Sequence, residues 1–184
     1  MPTILTHPAV PLVLGLALGR ALVPTRLLLA GVVASIVPDF DVVAFGFDIP
    51  YASPLGHRGF THSFAFAVAS ALLGTCAARS FRASQGMTFV YLLIAAASHG
   101  VLDSFTNGGH GIAFLWPWSA QRFFAPWRVI EVSPIGVSGM FTERGVTVLV
   151  SELLWIWLPG AIGLGFAVLI RRVLSTTINR GQRT

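Results

Sequence analysis

The sequence predicts an all-α integral membrane protein, a helical bundle of about five transmembrane helices. Hydrophobic residues make up 54% of the chain and charged residues only 10%, a balance that is too apolar for a soluble domain and ordinary for helices in lipid. The mean hydropathy of +0.76 agrees with this. Apolar runs close to the roughly 20 residues that a spanning helix needs occur five times. We therefore expect a single membrane-embedded domain over residues 1–184.

The predicted spans follow one another along the whole chain. In order, they cover residues 8–23, 27–47, 62–78, 86–103 and 149–170. The first run is short and has two prolines in its opening turns, where proline is tolerated, so it can be a tilted span or a half-inserted helix. No basic residue precedes it, which is unlike a cleaved signal peptide, and we expect it to stay attached.

The basic residues predict the orientation of the chain in the membrane. All twelve are arginines, and the positive-inside rule assigns the spans' arginine-bearing ends to the cytoplasm. These ends carry Arg20 and Arg26, then Arg79 and Arg82, and finally Arg171, Arg172, Arg180 and Arg183. The N-terminus and the two other connections then lie on the outer side of the cell inner membrane. Scattered arginines do not indicate nucleic-acid binding, so membrane lipids are the expected partners.

Most histidines and aspartates fall into three short motifs. These are PDFD at 38–41, HRGFTHS at 57–63 and SHGVLD at 98–103. Imidazole and carboxylate together suit zinc or manganese, and such groups are costly in an apolar chain unless a bound cation compensates them. With the orientation above, all three motifs and His7 lie near the outer ends of their helices. The sequence therefore predicts a divalent metal site that faces the extracytoplasmic side.

Two of these motifs have spacings that suggest how their side chains are arranged. His99 and Asp103 are four residues apart, so on a helix they share one face and can bind one cation. A hydrogen bond between them without a metal is the alternative. In HRGFTHS, Gly59 permits a turn and Thr61 can cap a helix that starts at His62, while His57 reaches in from the loop.

The spacing of the PDFD aspartates indicates divided roles. Asp39 and Asp41 lie about 200° apart around an α-helix, so both face one centre only if the helix ends or bends there. One then binds the metal, and the other supports it or accepts a proton from the attacking water. Arg58 can hold a phosphate or pair with an aspartate. His110, in the glycine-rich tract further on, is either another ligand or a loop residue.

The outer connection before the last span bears on the substrate. Arg122 and Arg128 lie among aromatic residues in QRFFAPWR, where headgroup level is expected. They can hold the phosphate of an amphiphilic ester, or they contact lipid phosphates without specificity. Glu152, near the start of the last span, is expected in the same layer as the ligands.

The motifs HRGFTHS, PDFD and SHGVLD, with the tract TNGG…LWPW, resemble the YdjM-like family of membrane-bound, metal-dependent hydrolases from His7 to about Gly139. That family is similar, more distantly, to zinc-dependent phospholipase C and the fungal single-strand nucleases. The ligand order of those enzymes, matched to this chain, implies His7, Asp39 or Asp41, His57 or His62, and then the pair His99 and Asp103. This chain lacks the second helical pair of the soluble enzymes, so one or two ions are expected, zinc first and manganese as the alternative.

The function implied is hydrolysis of a phosphoester or another ester of a lipid-like substrate. A bound divalent cation lowers the pKa of its water and takes up charge that grows on the ester oxygens. Asp39, Asp41 and Arg58 are the expected catalytic residues. The alternative is a divalent metal transporter or a metal-binding membrane protein without catalytic activity. The inner halves of the spans show no polar path, which disfavours transport.

Overall fold

The computed structural model describes residues 1–134 and 138–181. Arg183, one of the arginines assigned to the cytoplasmic side, lies outside the described residues. Within these ranges the chain is helical and forms no β-strand. Two isolated bridges join Thr106 to Ile130 and Ile112 to Phe123 in the long connection before the last helices. The predicted all-α class is confirmed.

Seven α-helices form the body of the described chain. They are α1 Ala9–Leu18, α2 Thr25–Ile36, α3 Phe64–Thr75, α4 Ala78–Phe81, α5 Gln85–Ser104, α6 Glu143–Glu152 and α7 Leu158–Gly181. Short 3₁₀ helices cover Val37–Phe47, Phe60–His62 and Ser138–Phe141, and a π-helical segment, Leu153–Trp157, joins α6 to α7.

Among the described residues, three helical stretches are long and apolar enough to cross a membrane. They cover Thr25–Phe47, Gln85–Ser104 and Glu143–Leu174. The helices α1 and α3 are also apolar, but with 10 and 12 residues they rise only about 15–18 Å, whereas the hydrocarbon layer is roughly 30 Å thick. A helical membrane protein is supported, and the count of five spans stays a prediction.

The helix α5 lies at the centre of the bundle, where it contacts α1, α2, α3 and α4. Its buried Tyr91 donates a hydrogen bond of 2.8 Å to the carbonyl oxygen of Pro11. Gly15 of α1 and Gly31 of α2 both lie against the Tyr91 side chain, and a Cβ atom at either glycine would clash with it. These two glycines therefore let α1 and α2 pack closely around one aromatic ring.

Two of the arginines assigned to the cytoplasmic side lie at the helix ends opposite the histidine-aspartate motifs. Arg26, at the start of α2, donates a hydrogen bond of 3.2 Å to the carbonyl of Ser80 in α4. Arg171 of α7 donates to the carbonyls of Leu16 and Ala17 at the end of α1. The motifs occur instead after the end of α2, before α3 and in the last turns of α5. The side of the membrane that each end faces stays a prediction.

The start of α3 differs from the sequence expectation. The helix begins at Phe64, and its cap is Ser63, whose hydroxyl accepts a hydrogen bond of 3.1 Å from the amide of Phe66. The expectation that Thr61 caps a helix starting at His62 is wrong. The Thr61 hydroxyl donates instead to Asp41 at 2.6 Å. Thr61 and His62 belong to a separate 3₁₀ turn that precedes α3, and this turn directs the His62 side chain into the protein interior.

We predict that Gly31→Ala lowers the thermal unfolding midpoint of the protein purified in detergent. The added methyl group overpacks the contact with Tyr91, which typically costs about 1–3 kcal/mol. Gly163→Ala is the matched control, because a Cβ atom there meets no other group within 4 Å. Equal midpoints for the two variants would show that close packing of α2 on α5 is not needed for stability.

Candidate metal centre

Four buried side chains from three segments converge at the motif end of the bundle. Asp39 comes from the 3₁₀ helix after α2, His62 from the 3₁₀ turn before α3, and His99 and Asp103 from α5. Each offers one potential ligand atom, and these atoms lie within 4.8 Å of one another. None of the four residues is more than 4% exposed. The helix spacing of His99 and Asp103 thus brings both side chains into one cluster with groups distant in sequence.

The distances between these ligand atoms suit a single small cation. The Nε2 atoms of His62 and His99 are 3.0 Å apart, and Oδ1 of Asp39 is 3.3 Å from the Nε2 of His99 and 3.9 Å from that of His62. Oδ2 of Asp103 lies 3.3 Å from the Nε2 of His62. Ligand atoms held tetrahedrally about 2.0–2.2 Å from zinc are separated by roughly 3.3–3.6 Å. The cluster is therefore close to the size of a tetrahedral zinc site.

The hydrogen bonds of the His62 and His99 rings determine which ring nitrogen of each is available to bind a metal. Nδ1 of His99 is 2.7 Å from the carbonyl oxygen of Ser35, which only accepts, so Nδ1 carries the proton. Nδ1 of His62 is 3.3 Å from Oδ2 of Asp41, which orients that ring in the same way. In the neutral imidazoles both Nε2 lone pairs then point into the cluster. Metal-binding histidines usually have their other ring nitrogen held by a carbonyl or carboxylate oxygen in this way.

Several buried polar atoms in the cluster have no hydrogen-bond partner among the described residues. Both carboxylate oxygens of Asp39 and of Asp103 are in this state. Burying an ionised carboxylate without hydrogen bonds or a counter-charge costs several kcal/mol or more. The Arg58 guanidinium lies beside Asp103, but the two carboxylates also face each other and two nitrogen lone pairs, and a divalent cation removes the remaining repulsion. The residues therefore fit a bound divalent cation.

His7 adds a fifth group on the other side of the carboxylates. Its Nε2 lies 3.5 Å from Oδ2 of Asp39 and 3.6 Å from Oδ1 of Asp103, the oxygens that face away from His62 and His99. Its ring stacks on that of His99, with centroids 3.7 Å apart. Complete burial, assisted by the neighbouring His99, lowers the pKa of His7 to about 3. At neutral pH the imidazole is therefore in the uncharged form that binds metals.

Glu152 places the segment that carries His7. It is buried where α6 meets the π-helical segment, and it accepts hydrogen bonds from the hydroxyls of Thr3 at 2.7 Å and Thr6 at 2.6 Å. The amide of Thr3 also donates to Glu152. The Thr6 hydroxyl in turn accepts from the indole of Trp157 at 3.0 Å. Glu152 lies in the expected layer, and its contacts are with the N-terminal segment.

Asp41 and His57 form a separate pair beside the cluster. Nδ1 of His57 is 2.5 Å from Oδ1 of Asp41, while Oδ2 of Asp41 accepts from the Thr61 hydroxyl and, at 3.2 Å, from the amide of Arg58. Together with His62, these two residues make a second group that can hold a metal ion. Because both Asp41 oxygens already accept hydrogen bonds, the four-residue cluster is the better-suited position.

The chain changes from α to 3₁₀ geometry at Val37, and this separates the two aspartates. A 3₁₀ helix has three residues per turn, so residues two apart point about 240° apart. Asp39 faces the Nε2 side of His62, and Asp41 faces its Nδ1 side. The expected change of helix geometry is present, and it distributes the aspartates over two sides of one imidazole.

Comparison of the sequence with known proteins identifies the family of this chain. The sequence model of the YdjM inner membrane protein family matches residues 1–176. The chain belongs to this family. It is also 48% identical over 166 residues to the inner membrane protein YbcI of Escherichia coli (strain K12), an alignment that covers 90% of this chain and 96% of that protein. No solved structure matches. The family, the relative and the apolar helices together support an inner-membrane location.

Arg58 of this YdjM family member is completely buried and its donors face the protein. Its guanidinium donates to the carbonyls of Gly108 at 3.0 Å and His110 at 2.8 Å and to the Thr106 hydroxyl at 3.0 Å. Its Nε lies 3.3 Å from Oδ2 of Asp103. Arg58 thus holds the 106–110 loop against the cluster and balances one carboxylate. A direct contact between Arg58 and a substrate phosphate stays a prediction.

The remaining predicted groups of the YdjM family member lie outside the four-residue cluster. Arg122 donates to five carbonyl oxygens of the 51–58 and 111 segments, which ties these loops together. Arg128 is exposed and lies over the ring of Phe124, 4.9 Å from its centroid. The His110 ring lies against that of Tyr51, with centroids 4.7 Å apart. Arg128 is the exposed cation of these groups, and its contact with lipid phosphates stays a prediction.

Some residues that build the centre in this YdjM family member were not found from the sequence. Ser35 supports His99 through its backbone carbonyl, so no side-chain signal marks it. Thr3 and Thr6 hold the His7 segment, and only their three-residue spacing before His7 hints at a shared partner. Gly100 was also missed, although a Cβ atom there would lie 2.8 Å from the carbonyl of His62 and would push the two segments apart.

We predict that the purified wild-type protein binds at least one zinc or manganese ion per chain, and that His99→Ala and Asp103→Ala each abolish this binding. Each substitution removes one ligand and leaves a buried charge or lone pair uncompensated. Elemental analysis after gel filtration in detergent measures the metal content. Cys76→Ala is the control, because this exposed cysteine caps the end of α3 that is opposite to the cluster. Equal metal content in all three variants would refute the assignment.

We also predict that Asp41→Asn weakens zinc affinity about 10–100-fold without changing the number of ions bound. Asp41 orients His62 from outside the cluster, and partners of metal ligands typically contribute this much. Competition with a chromogenic chelator measures the affinity. Asp48→Asn, an exposed aspartate of the same segment, is the matched control and should bind like the wild type. An unchanged affinity for Asp41→Asn would show that its hydrogen bond to His62 is not needed.

Proposed function

We propose that the chain is a membrane-bound, metal-dependent hydrolase that cleaves a phosphoester or another ester of a lipid-like substrate. The observation that carries this proposal is the set of four buried carboxylate oxygens on Asp39 and Asp103 that lack hydrogen bonds and face imidazole nitrogens. Such a set is costly to fold unless it holds a cation. Many hydrolytic enzymes combine a bound divalent cation, which activates a water molecule, with an oriented imidazole-carboxylate pair that acts as a general base.

In this proposal Asp39, His62, His99 and Asp103 hold zinc, with manganese as the alternative. The opposite carboxylate oxygens and His7 offer room for a second ion, which the two aspartates would share. A divalent cation bound there supplies an acidified water and positive charge for the developing oxyanion. The order His7, Asp39, His62, His99, Asp103 along the chain also agrees with that of zinc-dependent phospholipase C and the single-strand nucleases, which supports the distant resemblance.

The chain's own acid-base group is the Asp41–His57 pair. Asp41 holds Nδ1 of His57 at 2.5 Å, which fixes the ring and makes it a better proton acceptor. The His57 ring lies edge-on to that of His62, with centroids 5.5 Å apart, so it is next to the cluster without belonging to it. In the proposed reaction His57 would take the proton from the attacking water and give it to the alcohol oxygen that leaves as its bond to the ester breaks. Arg58 would hold the Asp103 carboxylate in place.

The proposed topology has five spans and a site on the extracytoplasmic side. The positions of two arginines assigned to the cytoplasmic side support it, because Arg26 and Arg171 lie at the helix ends opposite the ligands. The helices α1 and α3 would count as the two short spans. With this orientation the site meets lipid esters of the outer leaflet of the inner membrane.

One observation favours a second candidate, a metal-binding membrane protein without catalytic activity. All the cluster residues are covered, and His7, His99 and Asp103 have no exposed surface. A hydrolase must therefore move part of its cover to admit an ester, and a structural metal site needs no such motion. Transport is less favoured, because the core next to the cluster is apolar around Val23, Leu27, Ala71 and Leu92.

Turnover by the metal-loaded protein separates these candidates. We predict that the zinc-loaded wild type hydrolyses at least one member of a panel of phosphomonoesters, phosphodiesters and carboxylic esters with lipid or aryl groups. His57→Gln should retain zinc and lose at least about 100-fold in rate, the usual contribution of a general base. His110→Gln, a nearby histidine outside both groups, is the control. Full zinc content without turnover on the whole panel would favour the structural role and overturn the hydrolase.

A further inference from the structure

An apolar groove opens on the side of the bundle beside the candidate metal centre. We call it the lateral groove, and its volume is about 510 Å³, within the range of ligand pockets. Three segments form its walls. They are the end of α5 with Leu102 and Phe105, the segment 127–130 with Trp127, Val129 and Ile130, and the π-helical segment with Trp155 and Ile156. All of these lining side chains are hydrophobic.

The position of the lateral groove indicates which medium meets it. Leu102 belongs to the candidate span Gln85–Ser104, and Trp155 and Ile156 belong to the candidate span Glu143–Leu174. Two tryptophans stand at its edge, Trp127 with 72% and Trp155 with 56% of its surface exposed. Exposed tryptophan is typical of the boundary between hydrocarbon and headgroups. The groove therefore opens toward lipid near the headgroup level.

The lateral groove shares its supporting segments with the metal centre. Leu102 directly precedes Asp103, so the two side chains lie about 100° apart on the same turn of α5. The amide of Ile130 donates to the carbonyl of Phe105 at 3.1 Å, which fixes the 127–130 wall beside that turn. Ala9, two residues after His7, packs in one cluster with Ile130 and Ile156. A molecule in the groove is thus within about one helical turn of the cluster.

An exposed cation belongs to the 127–130 wall segment of the lateral groove. Arg128 lies between the lining residues Trp127 and Val129 in sequence, and its guanidinium rests over Phe124. A hydrophobic groove with a cation on its wall segment, next to a site for carboxylate-bound metal, matches an amphiphile with an anionic head and an aliphatic chain.

We infer that the lateral groove binds the aliphatic chain of the ester substrate, an anionic phospholipid such as a phosphatidic acid, while its phosphate head turns toward the metal centre past Arg128. This inference rests on the proposed hydrolase function and names the substrate class of that same site. It gives the groove a role in choosing long-chain over short-chain esters.

The test uses a variant that fills the groove and a matched variant that does not. Val129→Trp adds an indole to the exposed side of the groove, because Val129 is a lining residue with 37% of its surface exposed. Leu154→Trp adds the same group to an exposed position next to Trp155 that is outside the lining. Both proteins are zinc-loaded in phosphatidylcholine nanodiscs, and their metal content is measured first.

The probe is phosphatidic acid with a photoreactive diazirine in one acyl chain. We expect crosslinks, mapped by mass spectrometry, on Leu102, Phe105 and Trp155 of the wild type. Val129→Trp should reduce them at least fivefold, and Leu154→Trp should not. Equal labelling of both variants, or labelling spread evenly over exposed positions such as Leu72 and Phe166, would overturn the inference.

Competition between unlabelled lipids and the probe distinguishes binding of a substrate chain from nonspecific occupation of the groove by a membrane lipid. Unlabelled phosphatidic acid should displace the probe at least fivefold better than diacylglycerol with the same chains. Equal displacement would assign the groove to a structural lipid and overturn the inference.

Hydrolysis is measured separately on phosphatidic acid and on glycerol phosphate, and Val129→Trp should slow only the long-chain reaction. If both reactions proceed and groove labelling is absent, the groove inference fails alone. If no ester turns over, the proposed function fails, and with it the claim that the bound chain belongs to a substrate.

Discussion

The arrangement of the whole motif-bearing end of this protein depends on two buried carboxylates that have no hydrogen-bond partners among the described residues. Asp39 and Asp103 lie in an apolar bundle, and both face imidazole nitrogens whose other ring positions are already held by Ser35 and Asp41. These oxygens are buried, and the guanidinium of Arg58 lies beside Asp103 alone. A divalent cation is the simplest group that makes this cluster favourable to bury.

The fold surrounds these two buried carboxylates by bringing four separate segments together. The central helix α5 provides two groups, the change to 3₁₀ geometry after α2 divides the aspartates, and the turn before α3 directs His62 inward. Glu152 then fastens the segment with His7 from the far end of the chain. Arg58 and Arg122 are used to hold loops over the cluster, which explains why the centre is closed to solvent. The lateral groove lies on the next face of α5, between two candidate membrane spans.

Much of this could be predicted from the sequence, because composition and motif spacing are local signals. The all-α class follows from hydropathy, and the pairing of His99 with Asp103 follows from helix geometry. The choice between Asp39 and Asp41, and between His57 and His62, depends on where 3₁₀ turns replace α-helix, which spacing alone does not decide. The cap at Ser63 was missed for the same reason. The contacts of Glu152 with Thr3 and Thr6 join residues almost 150 positions apart, and no local pattern records them.

The most direct test of the central claim is X-ray absorption spectroscopy of the purified, zinc-loaded protein at the zinc edge. The account predicts a first shell of four to five nitrogen and oxygen ligands at about 2.0–2.1 Å, with outer-shell scattering from at least two imidazoles and no sulfur. His99→Ala should lose this spectrum. A hydrated ion without imidazole scattering, or a protein that binds no zinc at all, would contradict the account.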